Sequence, residues 1–275
     1  MTTANSHACK DQAVIEPRRG RGEQAVPPGV LMSFTPLDLA LIRNALGLGD
    51  VPGRGVDFAK LWSLPGSDQE VGVVGWAMGA PMAVYLLERL VALGARWIIG
   101  LGSCGSLQPH LKIGRVILPT GARAEEGTSA HYREEGVTIA PEPSLLEALR
   151  AALIAQGLDP AMGHVWTTDA PFRETVGKVI RYREEGLLAV DMEASALMTV
   201  ASFRKVAFSS VLVVSDELGE LKWRRGFTDP SFLEGLARVA RVAVQVLARR
   251  ARSEGGDALC GARDTAGGEW LGEDR

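Results

Sequence analysis

The sequence predicts an α/β fold, a single domain with a mainly parallel, mixed central sheet flanked by helices. Three observations predict it. Short apolar runs alternate with helical patterns from about residue 29 to residue 250. Strand 71–76, helix 79–94 and strand 97–101 follow one another at the spacing of a βαβ crossover, with Pro81 in the helix's first turn. The strand candidates are too apolar to face water on either side, as in a sheet covered by helices on both faces.

In chain order, Val30–Ser33, Val71–Trp76, Trp97–Leu101, Arg115–Pro119, Gly163–Thr167 and Val211–Ser215 read as strands. Helices are expected at about 36–47, 79–94, 143–157, 191–204 and 229–250. Residues 1–28, with Arg18, Arg19, Arg21, Pro27 and Pro28, read as a disordered or arm-like tail, and 251–275, rich in Gly, Asp and Ala, as a flexible one. Ligands in sheets of this class sit at the carboxyl ends of the strands, so residues that follow strands are the functional candidates.

Composition narrows the function. The chain has 275 residues, 46% of them hydrophobic, enough for one sizeable core. Its net charge of −3, from 30 basic and 33 acidic residues, creates no strong field for nucleic acid or an anionic membrane, so a small-molecule partner is expected. Cys9, Cys104 and Cys260 form neither a CxxC pair nor a disulfide framework, which suggests a reducing compartment and makes the cytoplasm the expectation. The first thirty residues lack an apolar signal region, and the longest apolar stretches contain Glu88, Arg89 and Arg96, so neither a signal peptide nor a membrane span is expected. His7, His110, His131 and His164 lack metal-ligand spacing, and no metal is expected.

Three segments carry chemistry. Gly100-Leu-Gly102-Ser-Cys-Gly105 has the form of a dinucleotide-binding GxGxxG, but Pro109 and Gly114 interrupt the place where its helix must follow. It reads instead as a glycine-rich turn in which backbone N–H groups and the Ser103 hydroxyl form a concavity for phosphate or sugar oxygens, or as a tight turn with no ligand. In Val190-Asp-Met-Glu193-Ala194, capping accounts for Asp191, whereas Glu193 stands before a tightly packed run and needs partners. A pair of ribose hydroxyls supplies them, since an ionised carboxylate accepts two hydrogen bonds. Asp216 follows the buried run Val211–Ser215 and is either a turn cap or an acid whose pKa burial raises, able to protonate a leaving base.

Taken together, Gly102-Ser-Cys-Gly-Ser-Leu-Gln108, Glu126-Gly-Thr-Ser-Ala-His-Tyr132, Val190-Asp-Met-Glu-Ala194 and Ser215-Asp216 resemble the nucleoside phosphorylases in order and approximate spacing over residues 29–250. Gly75-x-x-Met78-Gly79-x-Pro81 is similar to that family's glycine-rich segment, and Arg115–Tyr132 to its uridine phosphorylase-like branch. The resemblance implies an enzyme that cleaves the N-glycosidic bond of a nucleoside, with inorganic phosphate as co-substrate, no further cofactor, and a homo-oligomer, dimer-based or hexameric. It makes Ser103 and Gly105 contacts for phosphate or nucleophile, Met192 and Glu193 ribose contacts, and Asp216 the acid facing a purine. Phe172, between Asp169 and Met192, is taken as a further substrate contact. That short segment has no Gln-x-Arg for a uracil edge, yet purine and pyrimidine both stay open.

Two departures concern the nucleophile. Where phosphorolytic relatives have Gly-Asp-Pro-x-Arg, this chain has Phe34-Thr-Pro36-Leu-Asp38, and a second phosphate arginine is replaced by Gly100. Both losses remove bidentate donors for phosphate. Phosphorolysis is taken first, with Arg54, Arg224, Arg225 or an arginine from a neighbouring subunit's N-terminal arm as replacement. The alternatives are hydrolysis by water that Asp38 activates, as in methylthioadenosine nucleosidase-like relatives, and a non-catalytic nucleoside-binding sensor.

Overall fold

The computed structural model describes residues 13–66, 70–133 and 136–261, with side chains as far as residue 253. Ten strands form one mixed sheet: β1 (Gly29–Ser33), β2 (Arg54–Val56), β3 (Ala59–Ser63), β4 (Val71–Gly75), β5 (Trp97–Ser106), β6 (Val116–Glu125), β7 (Ala161–Thr168), β8 (Ala189–Asp191), β9 (Ala207–Glu217) and β10 (Arg224–Arg225). Six α-helices accompany them: α1 (Pro36–Ala45), α2 (Ala80–Ala92), α3 (Pro143–Ala155), α4 (Val176–Glu184), α5 (Ala194–Arg204) and α6 (Pro230–Gly261).

The strand order is β10-β9-β6-β7-β8-β5-β1-β4-β3-β2, and β9 also pairs with β5. That extra pairing closes β5, β9, β6, β7 and β8 into a ring, while β1, β4, β3 and β2 extend from β5 as an open wing. The β4–β1–β5–β9 and β6–β7–β8 pairings are parallel; the β2–β3–β4 hairpins, β5–β8, β6–β9 and β9–β10 are antiparallel. The register of β5 against β9 shifts between Cys104 and Gly105, so that Gly105 stands opposite Asp216.

Alternation along the strands divides the core. Val30 and Met32 of β1 join Ile98, Leu87 and Leu197 in the layer under α2 and α5, while Leu31 joins Ile99, Ile42 and Val239 in the layer under α1, α3 and α6. Both faces of the sheet are therefore buried, which explains the continuous apolar runs. A smaller cluster of Trp166, Val179, Tyr182 and Val190 fixes α4 beside the ring.

Every expected strand and helix is present, and several bounds change. β5 continues to Ser106, so the glycine-rich stretch expected as a turn is strand. The reason is steric: a Cβ on Gly102 would lie 2.6 Å from Phe34 Cδ2, and one on Gly100 would lie 2.9 Å from Phe34 Cζ and 3.1 Å from Phe208 Cζ. These glycines admit aromatic rings, and positive φ is not their role. Helix α5 starts at Ala194, because Asp191 ends β8 and lends its side chain to the helix. The β2–β3 hairpin, β8, β10 and α4 were not expected.

The termini are more structured than expected where they are described. Within 13–28, Val26 is buried, Arg89 of α2 binds the Glu23 carboxylate and the Arg18 carbonyl, and Arg204 of α5 binds Glu16 at 3.0 Å as well as Glu88. This stretch lies against its own chain. At the other end α6 runs to Gly261, beyond the boundary expected at 250; residues 1–12 and 262–275 lie outside the described residues. Among the described residues, no helix is long and apolar enough to cross a membrane.

The packing of Phe34 over β5 predicts that Gly102→Ala destabilises the fold by about 1–3 kcal/mol, the usual cost of forcing extra volume into a filled core. Adding Phe34→Leu should recover part of that loss in urea unfolding; a double variant no more stable than Gly102→Ala would show that the ring is not the obstacle.

Candidate active site

The carboxyl ends of β5, β8 and β9 converge with the amino ends of α1 and α5 on a cavity of about 410 Å³. Asp38, Ser103, Gly105, Phe172, Met192, Glu193 and Asp216 all line it. Phe34, Thr35, Met78, Glu174, Trp223 and Phe227, which sequence reasoning did not single out, line it too. A second groove, about 640 Å³, lies at the amino ends of β5 and β9 beside Trp97 and Phe208. Volume alone would favour that groove, but strand polarity and the clustered carboxyl groups favour the smaller cavity.

Asp38 stands in the first turn of α1, which Thr35 caps by accepting the Asp38 N–H at 3.0 Å. Its carboxylate turns inward and is 1% exposed. One oxygen, Oδ2, accepts from the Ser103 hydroxyl at 3.1 Å and from the Ser103 N–H at 3.3 Å. Burial raises the Asp38 pKa, and hydrogen bonds from Thr35 and Ser103 hold the rise back. The donors expected to cradle an anion thus face a carboxylate of their own chain. The segment that carries Ser103 is strand, which corrects its reading as a turn.

Two further carboxyl groups come from the junction of β8 and α5. Asp191 is the cap, its Oδ2 accepting from the N–H groups of Glu193 at 3.1 Å and Ala194 at 2.6 Å, while Oδ1 accepts from the Thr167 hydroxyl at 2.6 Å. Thr167 in turn accepts from the Ser195 N–H at 3.0 Å, tying β7 to the helix. Glu193 has a different role. Its Oε1 accepts from the Gly79 N–H at 2.6 Å, across the cavity floor at the start of α2. Burial first, and then the charge of Asp191, pushes its pKa up to about 8.

Asp216 closes the other end. Its Oδ1 accepts from the Ser215 hydroxyl at 2.7 Å and its Oδ2 from the Trp223 indole N–H at 2.8 Å. Burial raises its pKa against those two hydrogen bonds. Glu174, at the mouth of α4, lines the same end, and burial together with the neighbouring Asp216 raises its pKa to about 7. Cys104 is buried in the cavity wall with its thiol pKa raised, chiefly by burial, which makes it a poor nucleophile.

Five carboxyl groups, those of Asp38, Glu174, Asp191, Glu193 and Asp216, therefore line one cavity, and among the described residues no lysine or arginine does. None of the three arginines expected as replacements lines the cavity, although Arg225 stands opposite Asp216 in the β9–β10 pair. Arg54 donates to the Ala25 carbonyl at 2.6 Å, Arg224 pairs with Glu217 at 3.3 Å, and Arg225 stacks over Trp223 at 5.2 Å. Among the described residues no cluster of His, Cys, Asp and Glu has the arrangement of a metal site.

The raised pKa of Glu193 has a signed consequence for stability. The folded chain holds this proton more tightly than the unfolded chain, so the contribution is complete below about pH 4.5 and is lost as the pH rises through about 8. Glu193→Gln cannot ionise, and it should gain in stability relative to the parent between pH 5 and pH 8.5. Urea unfolding at both pH values checks this; a difference independent of pH would mean that Glu193 is solvated like a surface carboxylate.

Comparison with known proteins agrees with this geometry. Residues 30–251 match the family model described as the phosphorylase superfamily. DeoD-type purine nucleoside phosphorylases of Caldanaerobacter subterraneus and Bacillus cereus are 31% and 33% identical over 153 residues, 54% of this chain. That stretch spans 66% and 65% of those relatives, just under two thirds of their length. Among solved structures, a purine nucleoside phosphorylase of Toxoplasma gondii superposes with a TM-score of 0.74 at 21% identity, covering 88% of this chain and 100% of that one. A uridine phosphorylase of Vibrio fischeri gives 0.72 at 22%, covering 86% and 99%. An AMP nucleosidase of Bacteroides thetaiotaomicron gives 0.67 at 25%, covering 82% and 91%. With four fifths of its length matched by the family model and the same α/β fold, this chain belongs to the phosphorylase superfamily.

Proposed function

We propose that this chain is a nucleoside-cleaving enzyme that uses water: it hydrolyses the N-glycosidic bond of a purine nucleoside to free ribose and base. The observation that carries water over phosphate is the buried Asp38 carboxylate bonded to Ser103 in a cavity lined by no cation among the described residues. A phosphate dianion there would meet the Asp38 carboxylate in a medium where charge is weakly screened, with no lining lysine or arginine among the described residues to offset it. Phosphate stood first on the sequence, but the position of its second arginine is Gly100, and Phe34 occupies the space a side chain there would need. A neighbour named a nucleosidase shares the fold.

The chemistry balances in one turnover. Asp38 accepts a proton from water as the water oxygen bonds to C1′, while the C1′–N bond breaks and its electron pair leaves with the base. Asp216 gives the departing base a proton, and purine N7 is the natural acceptor. Glu193 accepts the 2′ and 3′ hydroxyls, and positive charge growing on the ribose ring favours its ionised form. Ser103 orients Asp38, and both carboxyl protons then re-equilibrate with solvent.

Asp38→Asn should lower kcat by about 100-fold or more, the range of general-base catalysis, in an activity that is indifferent to added phosphate. Phosphate-dependent formation of ribose 1-phosphate that survives in Asp38→Asn would instead point to phosphorolysis with an arginine from a second copy of the chain. A separate test concerns the acid. Asp216→Asn should impair natural purine nucleosides at least tenfold more than a nucleoside analogue whose leaving group needs no proton, and equal losses on both would assign Asp216 a structural role.

A further inference from the structure

Of the cavity's two carboxyl groups without a task in the mechanism above, Asp191 caps α5, and Glu174 is left. It ends a short turn, Pro171–Arg173, that precedes α4, and the backbone there is held on both sides. Arg173 N–H donates to the Ala170 carbonyl at 2.8 Å, Thr175 N–H donates to the Arg173 carbonyl at 2.8 Å, and the Thr175 hydroxyl caps α4 by accepting the Lys178 N–H at 3.4 Å. The side chain is partly buried and lines the cavity with Phe172, Trp223 and Asp216. Asp191, Glu193, Asp216 and Asp38 each accept at least one protein hydrogen bond, whereas none to the Glu174 carboxyl is seen among the described residues.

Only partly buried, the Glu174 carboxyl group is open to water, and an N–H from an occupant of the cavity would take that water's place. Its neighbour narrows the choice. Glu174 and Asp216 line the same cavity with Trp223, whose indole N–H binds Asp216, so the two groups address one region of a ligand. If Asp216 serves N7 of a purine, the substituent at position 6 projects from the same edge of the base. Above its pKa of about 7, Glu174 accepts a hydrogen from a 6-amino group and repels the lone pairs of a 6-oxo group.

We propose that Glu174 is a specificity-determining residue that accepts a hydrogen bond from the 6-amino group of the base, selecting 6-aminopurines over 6-oxopurines. The proposal rests on the purine reading above but not on the identity of the nucleophile. It is tested by equilibrium binding of the free bases adenine and hypoxanthine, measured calorimetrically without turnover at a pH above the Glu174 pKa of about 7. The parent protein should bind adenine at least tenfold more tightly than hypoxanthine. In Glu174→Gln, whose amide can donate to a 6-oxo group, that ratio should fall at least tenfold. Glu174→Asp, which keeps the acceptor, should retain a preference for adenine and serves if the glutamine variant does not fold. A parent ratio near one, a preference for hypoxanthine, binding of neither base, or a ratio unchanged in a folded Glu174→Gln protein would each overturn the assignment. A phosphorolytic reaction with adenine still preferred would overturn the hydrolytic reading alone.

Discussion

The hydrogen bonds from Ser103 to the buried Asp38 carboxylate fix the relation between the first turn of α1 and the end of β5, and the rest of the site is arranged around them. A carboxylate with 1% exposure is expensive to bury, and here Ser103 offsets the cost with a hydroxyl and a backbone N–H while Thr35 orders the turn that carries it. The same contact requires α1 to approach β5 closely, with Phe34 lying over glycines 100 and 102. Asp38, Phe34 and the glycine-rich strand are thus one steric and electrostatic unit. An arginine at position 100 is incompatible with that unit, which is why the loss of two phosphate arginines and the gain of a carboxylate belong together.

The remaining polar groups divide according to how completely they are satisfied. Asp191 accepts three hydrogen bonds and acts as a helix cap, so its buried charge serves the fold. Glu193, two residues on, has the Gly79 N–H and the electrostatic pressure of Asp191, which leaves it ready for donors from a sugar. Asp216 is held on both oxygens by neutral donors, Ser215 and Trp223, so its orientation is set without a counter-cation. Glu174 is the least satisfied of the set. This gradient follows from position: groups at strand-helix junctions find backbone N–H groups, whereas a group on the turn before α4 faces the cavity.

Much of this was legible in the sequence because each strand is buried on both faces and so appears as an apolar run. Val30–Ser33 and Val71–Trp76 differ from β1 and β4 by one residue each. The β2–β3 hairpin was not legible because Arg54, Gly55 and Lys60 interrupt its pattern at the sheet edge, and α4 because Lys178, Arg181, Arg183 and Glu184 leave it few apolar positions. The glycines of β5 were misread as a turn because their partner, Phe34, is about seventy residues away in sequence. Glu174 and Trp223 were invisible for a similar reason. Each enters the cavity from a connecting segment without periodicity, and only the closure of the β5–β9 ring brings those segments together.

The central claim is that the corner between Asp38 and Ser103 holds water and not phosphate. A crystal structure of the protein grown with millimolar phosphate and a non-cleavable ribose-bearing inhibitor would show this corner directly. The account predicts a single water-sized peak within hydrogen-bond distance of Asp38 and facing C1′. A tetrahedral phosphate in that place, gripped by an arginine from an adjoining copy, would contradict it.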